Sequence, residues 1–166
     1  MRDEGELYYE SRRLPAAEAV AAAQRVRAVW EGWRGSRPLP ARRQLDPLEL
    51  RDFLGLLYLL EIKHQPFDLI CRLDGTDIVL ASNQDQTDHS LRDGEPAMIY
   101  ERVFADVAQA AEAVDPVLWL VDHGHDGHRF RYQRLVLPFG EAERPEWLLV
   151  YNHNLDHPRG RFREIR

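Results

Sequence analysis

Between residues 95 and 114 apolar side chains recur at Ile99, Val103, Phe104, Val107, Ala110, Ala111 and Val114, a 3.6-residue period that puts them on one face of a helix. That helix divides the chain. Before it, the stretches 57–63 and 67–73 flank a turn at His64, Gln65 and Pro66 and read as a hairpin. After it, residues 117–122, 129–137 and 147–153 are rich in Val, Leu, Tyr and Trp, with glycine-containing turns at 123–128 and 140–146 between them. Two strands, a helical crossover and three strands predict an α+β domain: a five-stranded antiparallel sheet with flanking helices.

A second amphipathic helix is predicted over residues 15–34. Pro15 suits its first turn, and Val20, Ala23, Val26, Val29, Trp30 and Trp33 share a face. Gly35, Pro38 and Pro40 end it, and Asp46 is placed to cap a short helix over 47–54. Residues 76–93 are broken by Asn, Asp, Gln and Ser and predict short helices, with Thr76 and Thr87 as caps. Residues 1–14 show no period and read as a flexible arm, and 161–166 as a tail, leaving 15–160 as one domain. The apolar face of the N-terminal helix is expected to cover the outer sheet face or to pair with its copy in a homodimer.

The 166 residues suffice for one core. An acidic excess, net charge −6, is poorly suited to tracking a phosphate backbone, so nucleic acid is not an expected partner. The longest apolar run, 53–60, is far too short to cross a bilayer, and residues 1–14 carry charges where a signal peptide needs an apolar stretch. A cytoplasmic protein without membrane contact is expected. The single cysteine, Cys71, excludes an internal disulfide and a zinc ribbon.

His123, His125 and His128, with Asp122 and Asp126, have the residue types of a metal site. Gly124 and Gly127 among them are what a solvated hairpin turn needs, and no metal is expected there. Ser11, Ser36, Ser82 and Ser90 lie outside any nucleophile elbow, and Cys71 in an apolar strand reads as a packed hydrophobe. Asp74, Asp77, Asp85 and Asp88 stand beside Gly, Asn and Thr as turn residues do. No catalytic constellation emerges.

Six short pieces recur in a fixed order: Trp30 and Trp33; Leu39, Pro40, Ala41 and Arg42; Asp46 and Pro47; the run from Arg72 to Ile78; Asp85, Gln86 and Thr87; and Arg134 to Pro138. In these, over roughly residues 25–155, the chain resembles the single-domain PAS-like proteins common in alphaproteobacteria. It departs from their pattern at two glycines, replaced by Asn83 and Asp88, the residue types that best tolerate a left-handed backbone. The resemblance implies a PAS-like sheet with a cleft between its inner face and the long helix, used for sensing small molecules or for protein contacts. No cofactor is expected. The flavin-binding branch carries its cysteine on a helix, and the long helix has no histidine to serve as a haem ligand.

In that cleft Tyr100, Phe104, Trp119, Tyr132 and Tyr151 would form aromatic walls, and Arg134 or Arg72 would supply a guanidinium for a carboxylate. Packing into the core is the competing reading of the same aromatics. The expected function is a non-enzymatic regulatory module that binds a small molecule or a protein and acts through a partner. The alternatives are a small cone-shaped α+β isomerase or dehydratase with an Asp/His pair in its cleft, and a scaffold that dimerises through its N-terminal helix.

Overall fold

The structure is a computed structural model and describes residues 5–162. The five expected strands are present and a sixth joins them: β1 Tyr8–Leu14, β2 Leu57–His64, β3 Phe67–Asp74, β4 Val117–His125, β5 His128–Phe139 and β6 Trp147–Asn154. They form one antiparallel sheet in the order β1-β4-β5-β6-β2-β3. Three α-helices accompany it, α1 Ala21–Arg34, α2 Thr76–Ser82 and α3 Ala97–Gln109.

The sixth strand corrects the reading of residues 1–14 as an arm, since β1 pairs with β4 along its whole length. It shows no alternation because it is an edge strand whose middle residues face water. Its anchors are local contacts: the Tyr8 ring lies against Gly124, Tyr8 Oη donates to Asp122 at 2.6 Å, and the Arg13 guanidinium sits 5.3 Å from the Trp119 ring. Residues 1–4, and 163–166 of the expected tail, lie outside the described residues.

The N-terminal helix starts six residues later than its pattern suggests, after a 3₁₀ turn at Ala16–Glu18. The buried Gln133 side chain of β5 fits into the break, accepting from the Val20 N–H at 2.8 Å and donating to the Glu18 carbonyl at 2.9 Å. Asp46 caps the next segment as expected, accepting from the Leu48 N–H, but Pro47–Leu56 is a kinked 3₁₀ run. Pro96 delays α3 to Ala97, and a 3₁₀ turn, Ala110–Glu112, finishes it. Gly75 and Ser90, rather than Thr76 and Thr87, precede the short helical turns. Asn83 and Asp88 take up left-handed conformations, with φ of 56° and 68°. The Asp88 turn lets His89 and Asp88 hydrogen-bond to Cys71 along the outer edge of β3, covering that edge.

The hairpin between β4 and β5 is tighter than a turn over 123–128. Its turn is Asp126 and Gly127 alone, both at positive φ as a two-residue hairpin loop demands. His123 and His125 are therefore strand residues.

The sheet buries both faces. On the outer face α1 inserts Ala23, Val26, Trp30 and Trp33 among Leu118, Leu135, Leu137, Phe139 and Leu149. Trp30 is fully buried and donates its indole N–H to the Pro138 carbonyl at 2.8 Å. Each such side chain contributes roughly 1.5–3 kcal/mol. Of the two roles expected for this helix, the structure shows it covering its own sheet. The inner face packs Val117, Trp119, Val121 and Val136 against Ile99, Val103, Phe104 and Val107 of α3.

Candidate ligand pocket on the inner sheet face

Strand alternation decides what faces α3. On β4 it selects Val117, Trp119, Val121 and His123, which the register sets opposite Val136, Arg134, Tyr132 and Phe130 of β5, and His125 follows opposite His128. Arg134 lies directly opposite Asn152 of β6. Beneath α2 and α3, His123, His125, Phe130, Tyr132, Arg134 and Asn152 line a cleft with a free volume of about 90 Å³, whose other walls include Tyr58, Cys71, Asp74, Glu95 and Tyr100. The Tyr100 ring lies flat against the backbone of Gly94, where a Cβ would collide with it. Phe162 closes the far side, edge-on to Tyr132 at 5.5 Å.

Arg134 is fully buried. Its terminal nitrogens donate to the phenol oxygens of Tyr9 and Tyr132, both at 3.2 Å, and Asp106 Oδ2 lies 3.7 Å away as counter-ion. Tyr9 Oη in turn donates to Asp106 at 2.7 Å. Burial opposes the Arg134 charge, but the surrounding phenol oxygens of Tyr9, Tyr132 and Tyr58 hold its pKa above the ordinary arginine value. Burial pushes His123 from 6.5 down to about 3, helped by the Arg134 charge and by His125, so His123 is neutral at neutral pH. Burial raises the Asp74 carboxyl to about 6 against the pull of the Gln86 N–H, and pushes the Cys71 thiol up to about 12.

Four polar atoms on this cavity are buried without a hydrogen-bond partner among the described residues: Arg134 Nε, Asn152 Oδ1, His123 Nδ1 and His125 Nδ1. Elsewhere among the described residues Arg42 Nε alone shares that state. Buried polar groups are normally satisfied, and each orphan costs about 1–3 kcal/mol. All four belong to residues that line the one cleft. Among the described residues no group of three or more His, Cys, Asp or Glu stands close enough together to hold a metal ion.

Of the residues expected in the cleft, Tyr100, Tyr132 and Arg134 line the cavity. Phe104 is core behind it, edge-on to Phe67 at 5.9 Å and 3.8 Å from the Arg92 guanidinium. Trp119 shares the sheet face and pairs with Arg134 in register, but it packs under Arg13. Two placements need correction. Tyr151 points to the outer face, edge-on to Phe53 at 5.5 Å, because alternation on β6 gives the inner face to its neighbours Val150 and Asn152. Arg72 lies at the surface between Glu61 and Asp88, where its charge stays hydrated. His123, His125, Tyr58 and Asn152 were not among the expected residues. The Asp126-Gly127 hairpin signal, applied to strand register, would have found the two histidines.

An antiparallel sheet with helices over a cleft on one face defines an α+β domain. A sequence profile of the PAS domain matches residues 18–148, so the chain belongs to the PAS domain family. Two solved structures are similar in outline. The Rhodobacter sphaeroides LOV protein is 12% identical, with a TM-score of 0.48 over 69% of this chain and 70% of that one. An RNA-binding light-oxygen-voltage receptor is 15% identical, with a TM-score of 0.48 over 91% of this chain and 39% of that one. No curated protein matches the sequence.

Proposed function

We propose that this PAS domain is a non-enzymatic sensory module that takes a small molecule into the cavity between its sheet and α3 and passes occupancy to a protein partner. The observation that carries the proposal is the set of four unpartnered buried polar atoms on one partly aromatic cavity. Tyr9 supplies a route outward: it contacts Arg134 and Asp106, stacks on His123 at 5.9 Å, and belongs to the edge strand β1. A ligand that draws on Arg134 would thereby alter the hold on β1. Of the acids at or behind the cavity, Asp74 accepts from the Gln86 N–H and Asp106 is held by Tyr9 and Arg134, while Glu95 is exposed on the wall, and the engagement of the two part-buried carboxyls weighs against an Asp/His pair and the enzyme alternative.

The proposal includes a cytoplasmic setting, and it includes no nucleic-acid partner because a net charge of −6 is poorly suited to a phosphate backbone. No described helix is long and apolar enough to cross a membrane. A homodimer through the N-terminal helix loses its motive, because the apolar face of α1 is occupied by its own sheet while Gln24 and Arg25 face water. Native mass spectrometry of freshly purified protein tests the proposal. A small molecule retained at one per chain and released on unfolding is expected. Bare protein, with no change in β1 amide exchange on adding cell extract metabolites, contradicts it.

A further inference from the structure

The sheet ends in two edges that the chain treats differently. At β3 the outer backbone of Cys71 exchanges hydrogen bonds with Asp88 and His89, and Ser90 bridges to Ile70, so the following segment covers that edge. At β1 the backbone of residues 8–14 pairs with β4, and no other described segment hydrogen-bonds to it. Open edges are normally blunted by proline, a bulge, lysine or a very short strand. β1 has none of these: it runs for seven residues in unbroken register with β4. It carries charge instead, with Glu10, Arg12 and Arg13 all exposed.

The order of those charges selects an occupant. Glu10, Arg12 and Leu14 stand opposite Asp122, Leu120 and Leu118 of β4, so they share the sheet face on which Leu118 meets α1. A second copy laid antiparallel along β1 about a two-fold axis keeps the faces of the two sheets aligned, and even-numbered residues then meet even-numbered ones. With the axis at Ser11, Glu10 of each copy faces Arg12 of the other, Tyr8 faces Leu14, and all seven residues are paired. With the axis at Glu10 two carboxylates meet, and at Arg12 two guanidinium groups. Opposite charges across a strand pair stabilise it and like charges destabilise it, so one register is favoured over its neighbours. Glu10-Ser11-Arg12 is its own complement when read backwards. We propose that the β1 edge is a self-association surface, on which a second copy of this chain pairs antiparallel about Ser11 to form one continuous sheet.

Sedimentation velocity of the full chain up to about 200 μM tests the surface, a concentration suited to the weak dimer that a small strand-edge interface supports. The wild type is expected to dimerise. E10R and R12E each set like charges opposite one another and are expected to weaken the dimer at least about tenfold, and the E10R/R12E double variant to restore it. An equimolar mixture of the two single variants is expected to form a mixed dimer, because one copy then supplies two arginines and the other two glutamates. Ser11→Cys reads the register: position 11 faces its own copy with Cα atoms about 4.5–5.5 Å apart, within disulfide reach, so diamide is expected to cross-link S11C and not R12C. The native Cys71 is buried and does not compete. Should a charge variant fail to fold by circular dichroism, the S11C and R12C comparison decides. A wild type that stays monomeric overturns the proposal. So does a dimer indifferent to both charge reversals, a mixture no tighter than its components, or cross-linking of R12C as readily as S11C.

Discussion

The two faces of the sheet are built on opposite rules. Outside, α1 lays Val26 and Trp30 onto a leucine-rich surface, and the buried Trp30 indole N–H finds the Pro138 carbonyl. Inside, the same strands present a buried arginine, an asparagine and two histidines to a cavity in which four polar atoms have no partner. The difference teaches where stability and function reside. The outer face contributes apolar burial and holds the strands together. The inner face carries buried polar atoms without protein partners beside a cleft, a cost that folding alone does not explain.

The largest effect is expected on the outer face. Trp30→Ala should lower unfolding free energy by about 3–5 kcal/mol, read by urea denaturation, because it opens a large hole beneath α1 and removes a satisfied hydrogen bond. A loss below about 1 kcal/mol would mean that α1 is not the cover of that face. On the inner face, Arg134→Met should cost about 2–4 kcal/mol by leaving Asp106 without its cation. Adding Asp106→Leu should recover much of that loss, and a double-mutant cycle with no coupling would remove the ion pair from the account.

Acid sharpens the comparison further. His123 takes up a proton at about 3 when folded and near 6.5 when unfolded, so its stabilising contribution is fully present above pH 6.5 and is lost as pH falls toward 3. His123→Phe should flatten this decline, by up to about 1.4 kcal/mol per pH unit between 6 and 4. Asp74 works in the opposite sense. Its folded value of about 6 exceeds its unfolded value of 3.8, so its contribution is complete below pH 3.8 and lost as pH rises through 6. Asp74→Asn should therefore gain about 1 kcal/mol at pH 8 and nothing at pH 3.5, the partial exposure of the group holding the gain below the full shift. Variants with unchanged pH profiles would show that the inner face is as well hydrated as the surface.

How much of this was legible follows from the same division. The outer face and α3 were readable because single-faced burial writes a 3.6-residue period, and Ile99, Val103, Phe104 and Val107 do line one side of α3. Edge strand β1 was not, since its middle residues face water and only Tyr8, Tyr9 and Leu14 are partly buried. The start of α1 depends on Gln133, more than a hundred residues away, which local pattern cannot report. In the site, Tyr132 and Arg134 followed from alternation on one long strand. Tyr151 was misplaced because an error of one residue in register exchanges the two faces, and its neighbour Asn152 held the place instead. The histidines were hidden by their glycines, which suggested a long exposed turn where the chain makes a two-residue one.

The central claim is that the unpartnered Asn152 amide oxygen of the inner face serves a ligand and not the fold. The stability of Asn152→Leu, measured by urea denaturation at pH 7.5 beside the wild type, tests it most directly. Asn152 is only 7% exposed and its Oδ1 has no partner, so an apolar side chain of similar size should leave unfolding free energy unchanged or raise it by about 1 kcal/mol. A loss of more than about 2 kcal/mol would show that Asn152 holds the structure together, and would contradict the account.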